Sequence, residues 1–288
     1  MKKEMVFIGA GVVGTALAVA LCKKGWPVEA VNSRRDLSAQ RFARLTGAKC
    51  QLTPEDAVKT GEIIFLTVPD RTIAEIGDRL AKSKLDLAGK FFFHCSGSLP
   101  STVIAPLKER GAFIASLHPL QSFADLETAC TNLPGSIFSF EGDGEAEEIG
   151  RKIVEDLGGE FISIETNNKV LYHLGACLIS NYTVTLAYAA LSLYQKIGFS
   201  AQQAKDALLP LLEGTVNNLK FLPPAAALTG PIARGDWQVV AGHLAALAGE
   251  ETELKSLYQV LGKNTIGVAL EKGSINREQA ERLREILI

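Results

Sequence analysis

Several side chains in this sequence have the chemistry and the spacing to handle a proton beside a polar bond. His118 stands between Leu117 and Pro119, just past the apolar run Phe113–Ser116. His173 precedes Cys177 by four residues and Asn181 by eight, and positions four apart line up on successive turns of a helix. Ser96 lies in the short polar turn His94-Cys95-Ser96-Gly97-Ser98. An imidazole titrates near neutrality, so His118 or His173 suits the donor of a proton to a carbonyl or imine under reduction, with Ser96 and Asn181 as orienting groups. The plainer readings are a buried histidine at 118 satisfied by backbone and a serine at 96 that caps the next helix. Farther along, Arg234 sits in the loop Thr229–Asp236, where a guanidinium can hold a substrate carboxylate through two hydrogen bonds. Asp236 reads either as a helix cap or as the partner of that arginine, and His243 reads as structural.

A reduction needs a hydride source, and the N-terminus is patterned to hold one. A strand ending at Ile8 runs into Gly9-Ala10-Gly11-Val12-Val13-Gly14, then an apolar helical stretch, then a second strand ending at Val31. Strand, glycine turn, helix and strand form the context that a dinucleotide fingerprint requires. Gly9 permits the tight turn, Gly11 lets the backbone approach a pyrophosphate, and Gly14 lets the helix pack close to the sheet. The helix start at Val12 and Val13 aims its free amides at phosphate charge. After the second strand, where an Asp or Glu would hold the ribose hydroxyls, the chain reads Asn32-Ser33-Arg34-Arg35. A carboxylate there would repel a 2′-phosphate, whereas Ser33 and Arg34 can bind one through charge-assisted hydrogen bonds. The expected cofactor is therefore NADP, held by Gly9, Gly11, Val12, Val13, Gly14, Asn32, Ser33 and Arg34. The alternative reading of the two arginines is a solvated pair opening a helix near Asp36.

Composition narrows the class. The chain has 288 residues, 47% of them hydrophobic, and a net charge of −2, enough for one large or two ordinary domains and too balanced for a nucleic-acid surface. Five scattered cysteines, at 22, 50, 95, 130 and 177, form no CxxC pair and read as reduced thiols of a cytoplasmic protein. The four histidines show no metal-ligand spacing, so no metal is expected. Glu4 and the glycines interrupt a signal-peptide reading. The stretch Leu174–Gln195 carries no charge and is long enough to span a bilayer, but its load of Ser, Asn, Thr and Tyr favours burial in a core or a subunit interface. No membrane segment is expected. The same stretch motivates a homodimer through C-terminal helices.

Strand-like runs at Val6–Ile8, Val28–Val31, Ile63–Thr67, Lys90–Phe93, Phe113–Ser116, Ser136–Phe140 and Glu160–Ile164 alternate with helical stretches. That alternation predicts an α/β fold with a doubly wound, Rossmann-type parallel sheet and ligands at the carboxyl ends of its strands. After Ile164 only helical runs follow: Lys169–Ile197, Ala201–Leu222, Trp237–Ala248, Glu251–Leu270 and Arg277–Ile288. Residues 1–165 thus read as an NADP-binding domain and 166–288 as an all-helical domain for substrate and dimerisation.

This order resembles the 6-phosphogluconate dehydrogenase-like superfamily, which includes ketopantoate reductase, pyrroline-5-carboxylate reductase and prephenate dehydrogenase. The motifs His94–Ser98, Leu117-His-Pro-Leu-Gln-Ser-Phe123 and Thr229–Asp236 sharpen it toward Rossmann-like proteins with a C-terminal helical domain of unknown function, a group labelled NADP oxidoreductase by similarity. The resemblance covers essentially the whole chain. It implies that the turn Thr67-Val68-Pro69-Asp70 passes close to the cofactor, making Val68 and Pro69 binding candidates, with Asp70 as a helix cap. The His118-Pro119 pair is similar to the histidine-proline motif of prephenate dehydrogenases, although Ser122 replaces its usual glycine. His173 and Cys177 stand where ketopantoate reductases carry a lysine and an asparagine, while Asn181 matches the second asparagine. The implied activity is hydride transfer between NADPH and a small, carboxylated carbonyl or imine. The alternative is a non-catalytic NADP(H)-binding sensor or regulatory protein on the same fold.

Overall fold

A computed structural model of the chain describes residues 2–249 and 252–288. The chain divides into two compact units, Met1–Tyr182 and Thr183–Ile288. The first opens with β1 (Met5–Ile8), α1 (Val12–Lys23) and β2 (Val28–Asn32), the order that the glycine turn demands. Then come α2 (Asp36–Thr46), β3 (Lys49–Cys50), α3 (Pro54–Val58), β4 (Ile63–Leu66) and α4 (Asp70–Ala81). The sheet continues through β5 (Phe91–His94), α5 (Ala105–Lys108), β6 (Phe113–Leu120), α6 (Leu126–Asn132), β7 (Ile137–Gly142), α7 (Gly144–Leu157) and β8 (Glu160–Ser163), and α8 (Lys169–Ile179) follows.

All eight strands join one sheet in the order β3-β2-β1-β4-β5-β6-β7-β8. The order reverses between β1 and β4, and in doubly wound sheets ligands bind at the carboxyl ends of the strands flanking such a reversal. β1, β4 and β5 are buried along their whole length, as continuous apolar runs covered on both faces must be. Phe7, Phe65 and Phe93 stack across them with ring centroids 5.0 and 5.5 Å apart. The fold is therefore the expected Rossmann type, with one exception to a parallel sheet: β7 runs antiparallel to β6.

Three further differences matter for the site. β6 does not stop at Ser116 but continues to Leu120, so His118 lies inside a strand, opposite Ser139 of β7. Pro119 is tolerated there because β5 pairs only as far as Ser116 and leaves that side of β6 without a ladder to feed. Asp70 is the first residue of α4 and makes no capping bond. The single helix expected over Lys169–Ile197 breaks at Ser180 into α8 and α9 (Asn181–Lys196). The first unit includes α8, which the sequence grouped with the helical part, because Lys169 is pinned into the sheet.

Burial of the uncharged stretch inside this chain is overturned. No residue of α9 is buried, and Val184 and Tyr188 are 69% and 73% exposed. The second unit continues with α10 (Ala201–Phe221), α11 (Pro224–Ala227), α12 (Pro231–Arg234), α13 (Trp237–Ala246), α14 (Thr252–Lys272) and α15 (Arg277–Ile286). It has no strand among the described residues. Glu251, the expected start of α14, lies outside them. Ser200 and Gln203 form a capping box at α10, and Val240, Ile266, Ala280 and Leu283 make the core.

Candidate active site

Two cavities in the first unit gather the residues that the sequence singled out. One, of about 570 Å³, lies at the β1–β4 reversal and is lined by Gly9, Gly11, Asn32, Ser33, Arg34 and the Thr67–Pro69 turn, among others. The three glycines differ in what surrounds them. Gly9 has φ +112° and Gly14 is buried, and a methyl on either would overlap Thr67. A methyl on Gly11 would meet nothing within 4 Å. Gly11 therefore leaves open space at the N-terminus of a twelve-residue helix, the place where backbone amides can receive phosphate oxygens. Val12 and Val13 do not line the cavity and contribute only as the opening turn of α1. Arg34 is exposed and has no hydrogen-bond or ion-pair partner among the described residues. Asn32 is partly committed, since its side-chain amide donates to the Gln51 carbonyl at 2.9 Å. These groups fit a dinucleotide.

The other cavity, of about 690 Å³, is lined by His118, Gln121, Phe123, Tyr172, His173, Cys177 and Asn181, with smaller residues between them. The sheet supplies His118 from β6, and α8 supplies Tyr172, His173 and Cys177. The two histidines that the sequence could not place together are neighbours, with ring centroids 6.2 Å apart. Gly97 makes this possible: a methyl there would come within 2.8 Å of the His173 ring and 2.9 Å of the His118 ring. Nδ1 of His118 is 3.0 Å from the Tyr172 hydroxyl. Cys177 does more than pack, because its Sγ lies 3.7 Å from Nδ1 of His173.

Beneath this cavity lies a residue that the sequence reading missed. Lys169 is 1% exposed, and its Nζ donates to Ser116 Oγ at 2.7 Å and to the Ser96 carbonyl at 3.2 Å. Burial lowers its pKa to about 8, against the opposing pull of Glu141 and Asp70. Burial first, and the positive charge of Lys169 second, hold His118 down to about 4, so its ring is neutral at pH 7. Burial also pushes the Tyr172 phenol up. The spacing held the clue to Lys169. It stands four residues before His173 and extends the 173/177/181 stripe back by one turn.

The remaining candidates lie elsewhere. Ser96 is buried and lines neither cavity. Its hydroxyl donates to Asp70 and accepts from the Leu99 amide, so it ties the turn. His94 is a satisfied core histidine: Nδ1 accepts from the Ser96 amide, which leaves Nε2 to donate to the Pro100 carbonyl at 3.2 Å. Arg234 belongs to the second unit, where its Nε donates to Asp236 at 2.8 Å. Asp236 is thus the arginine's partner, not a side-chain cap.

Comparison with known proteins agrees with this architecture. Residues 2–119 match the model of a Rossmann-like domain. Residues 136–265 match that of a domain of unknown function, DUF2520. No curated protein matches the chain. A crystal structure from Bacteroides fragilis, provisionally described as an NADP oxidoreductase, is 24% identical over 92% of this chain and 98% of its own, with a TM-score of 0.78. A protein from Thermotoga maritima is 28% identical over 93% of this chain and 99% of its own, with a TM-score of 0.69. A reductive aminase from Aspergillus terreus, in complex with NADPH and ethyl-5-oxohexanoate, is 18% identical over 100% of this chain and 93% of its own, with a TM-score of 0.62.

Proposed function

We propose that this protein is an NADP-dependent oxidoreductase that exchanges a hydride between NADPH and a small carbonyl or imine. The observation that carries the reading is the meeting of His118 and His173 at Gly97, with Tyr172 bonded to His118 and buried Lys169 bonded to the neighbouring Ser96 carbonyl, in a unit that also holds a glycine-turn cavity whose Gly11 leaves room for a ligand. NADPH would supply the hydride, and the protein supplies binding, orientation and protons. Gly9, Gly11 and the first turn of α1 receive the pyrophosphate, while Ser33 and Arg34 select the 2′-phosphate. Val68 and Pro69 form the wall facing it.

In the other cavity His118, neutral at pH 7 and so not the near-neutral proton donor that the sequence suggested, shares one hydrogen bond with the Tyr172 hydroxyl and orients it toward a substrate oxygen or nitrogen. Lys169, with its pKa near working pH, holds a proton behind them. His173 and Asn181 orient the substrate. Arg234 is already paired with Asp236, so the reading does not depend on the substrate's having a carboxylate. The exposed apolar residues of α8 and α9, including Leu171, Leu174, Val184 and Tyr188, support covering by a second copy. The five free thiols support a cytoplasmic setting.

The test is oxidation of NADPH over a panel of aldehydes, ketones and ketone–amine mixtures. Turnover by the wild type should fall about 100-fold or more in His118→Asn and Lys169→Met, the usual worth of proton transfer, with NADPH affinity kept. NADPH binding without turnover of any member would favour a sensor.

A further inference from the structure

Ser96 is a knot between the two cavities. Its hydroxyl donates to the Asp70 carboxylate at 2.7 Å, and its carbonyl accepts from Ser116 Oγ at 3.0 Å and from Lys169 Nζ at 3.2 Å. Gly97, the next residue, packs against the rings of His118 and His173. On the other side, Asp70 lies between Pro69 and Thr72, both of which line the glycine-turn cavity. Asp70 has no ion-pair partner among the described residues, and its side chain does not cap α4. Its carboxylate instead accepts from two hydroxyls of one turn, those of Ser96 and, at 3.3 Å, Ser98. A charged acceptor makes such bonds stronger than a neutral one would.

We propose that Asp70 is a positioning residue that couples the two cavities. Through Ser96 it fixes where Gly97 and the His118–His173 pair stand relative to the Val68–Pro69 turn, so that filling the glycine-turn cavity is felt at the two rings. Lys169 and Ser116 anchor the far side of the same turn, which leaves Asp70 as the side-chain link to the near side. This rests on the dinucleotide reading above.

The test uses the full chain with ¹³C-labelled histidine, titrated with NADPH and followed by NMR. His243, in the second unit, serves as the reference. In the wild type, the His118 and His173 ring signals should shift on binding. Asp70→Ala should bind NADPH within about threefold of wild type but lose about half or more of those shifts, as coupling requires. Asp70→Asn, which keeps an acceptor for Ser96 Oγ, should restore them. Ser96→Ala cuts the same bond from the other end and serves if Asp70→Ala does not fold. Full shifts in Asp70→Ala or Ser96→Ala would mean that the nucleotide acts on the rings directly, and would overturn the proposal alone. Failure of the wild type to bind NADPH would overturn the dinucleotide reading and this proposal with it.

Discussion

Gly11 and Gly14 stand three residues apart in one turn, yet alanine at each should do opposite things. At Gly14 a methyl would overlap the Thr67 hydroxyl oxygen and stand 2.8 Å from the Gly9 carbonyl oxygen. The carbonyl is backbone and cannot step aside. Overpacking of this kind costs about 1–3 kcal/mol, partly offset by alanine's better helix propensity of about 1 kcal/mol. For a unit of this size, each net kcal/mol lowers the melting temperature by about 2–4 °C. At Gly11, φ −74° and ψ −175° suit any residue, and the methyl would enter open space. Only a helix-cap preference is lost, within about 1 kcal/mol. The proposed path of the pyrophosphate runs through that open space, so NADPH affinity should fall about tenfold or more, about 1.4 kcal/mol. Calorimetric melting and NADPH titration of both variants form the assay. A Gly11→Ala protein that binds NADPH like the wild type would refute the assignment of the turn, however stable it proved.

Two other outcomes follow from the same geometry. Gly97→Ala should force the His118 and His173 rings apart at a cost of about 1–3 kcal/mol and abolish turnover, while dinucleotide binding persists; unchanged turnover would separate the rings from the chemistry. Stability should fall as the pH drops from about 6.5 to 4, because burial, reinforced by Lys169, holds His94 down to about 4 in the folded chain. The unfolded chain takes up that proton first, at about pH 6.5, so the native state loses about 2 kcal/mol at this site by pH 5. Urea melts at pH 7 and 5, with His94→Gln as the control, measure it. A wild-type loss no larger than the variant's would contradict the account.

The N-terminal half of this architecture was legible because its constraints are local. A glycine turn between strand and helix names its own context. The site was legible only in part. The sequence picked out His118 and His173, but their contact depends on Gly97, whose role appears only when β5, β6 and α8 meet. The run from Phe113 reads as ending at Ser116 until the unpaired side of β6 is known. Lys169 reads only as the first residue of a helical run, and only the folded sheet surrounds it with Ser96 and Ser116. The uncharged stretch Leu174–Gln195 reads as buried in a core or a subunit interface, because composition cannot say whether the covering surface belongs to the same chain.

The central claim is that the glycine-turn cavity takes a dinucleotide and that Arg34 reads its 2′-phosphate. Calorimetric titration of the wild type and Arg34→Ala with NADPH and NADH tests it most directly. The account predicts tighter binding of NADPH than NADH, with the difference largely erased in Arg34→Ala and NADH affinity unchanged. Equal binding of both nucleotides by the wild type would contradict the phosphate assignment, and binding of neither would contradict the oxidoreductase itself.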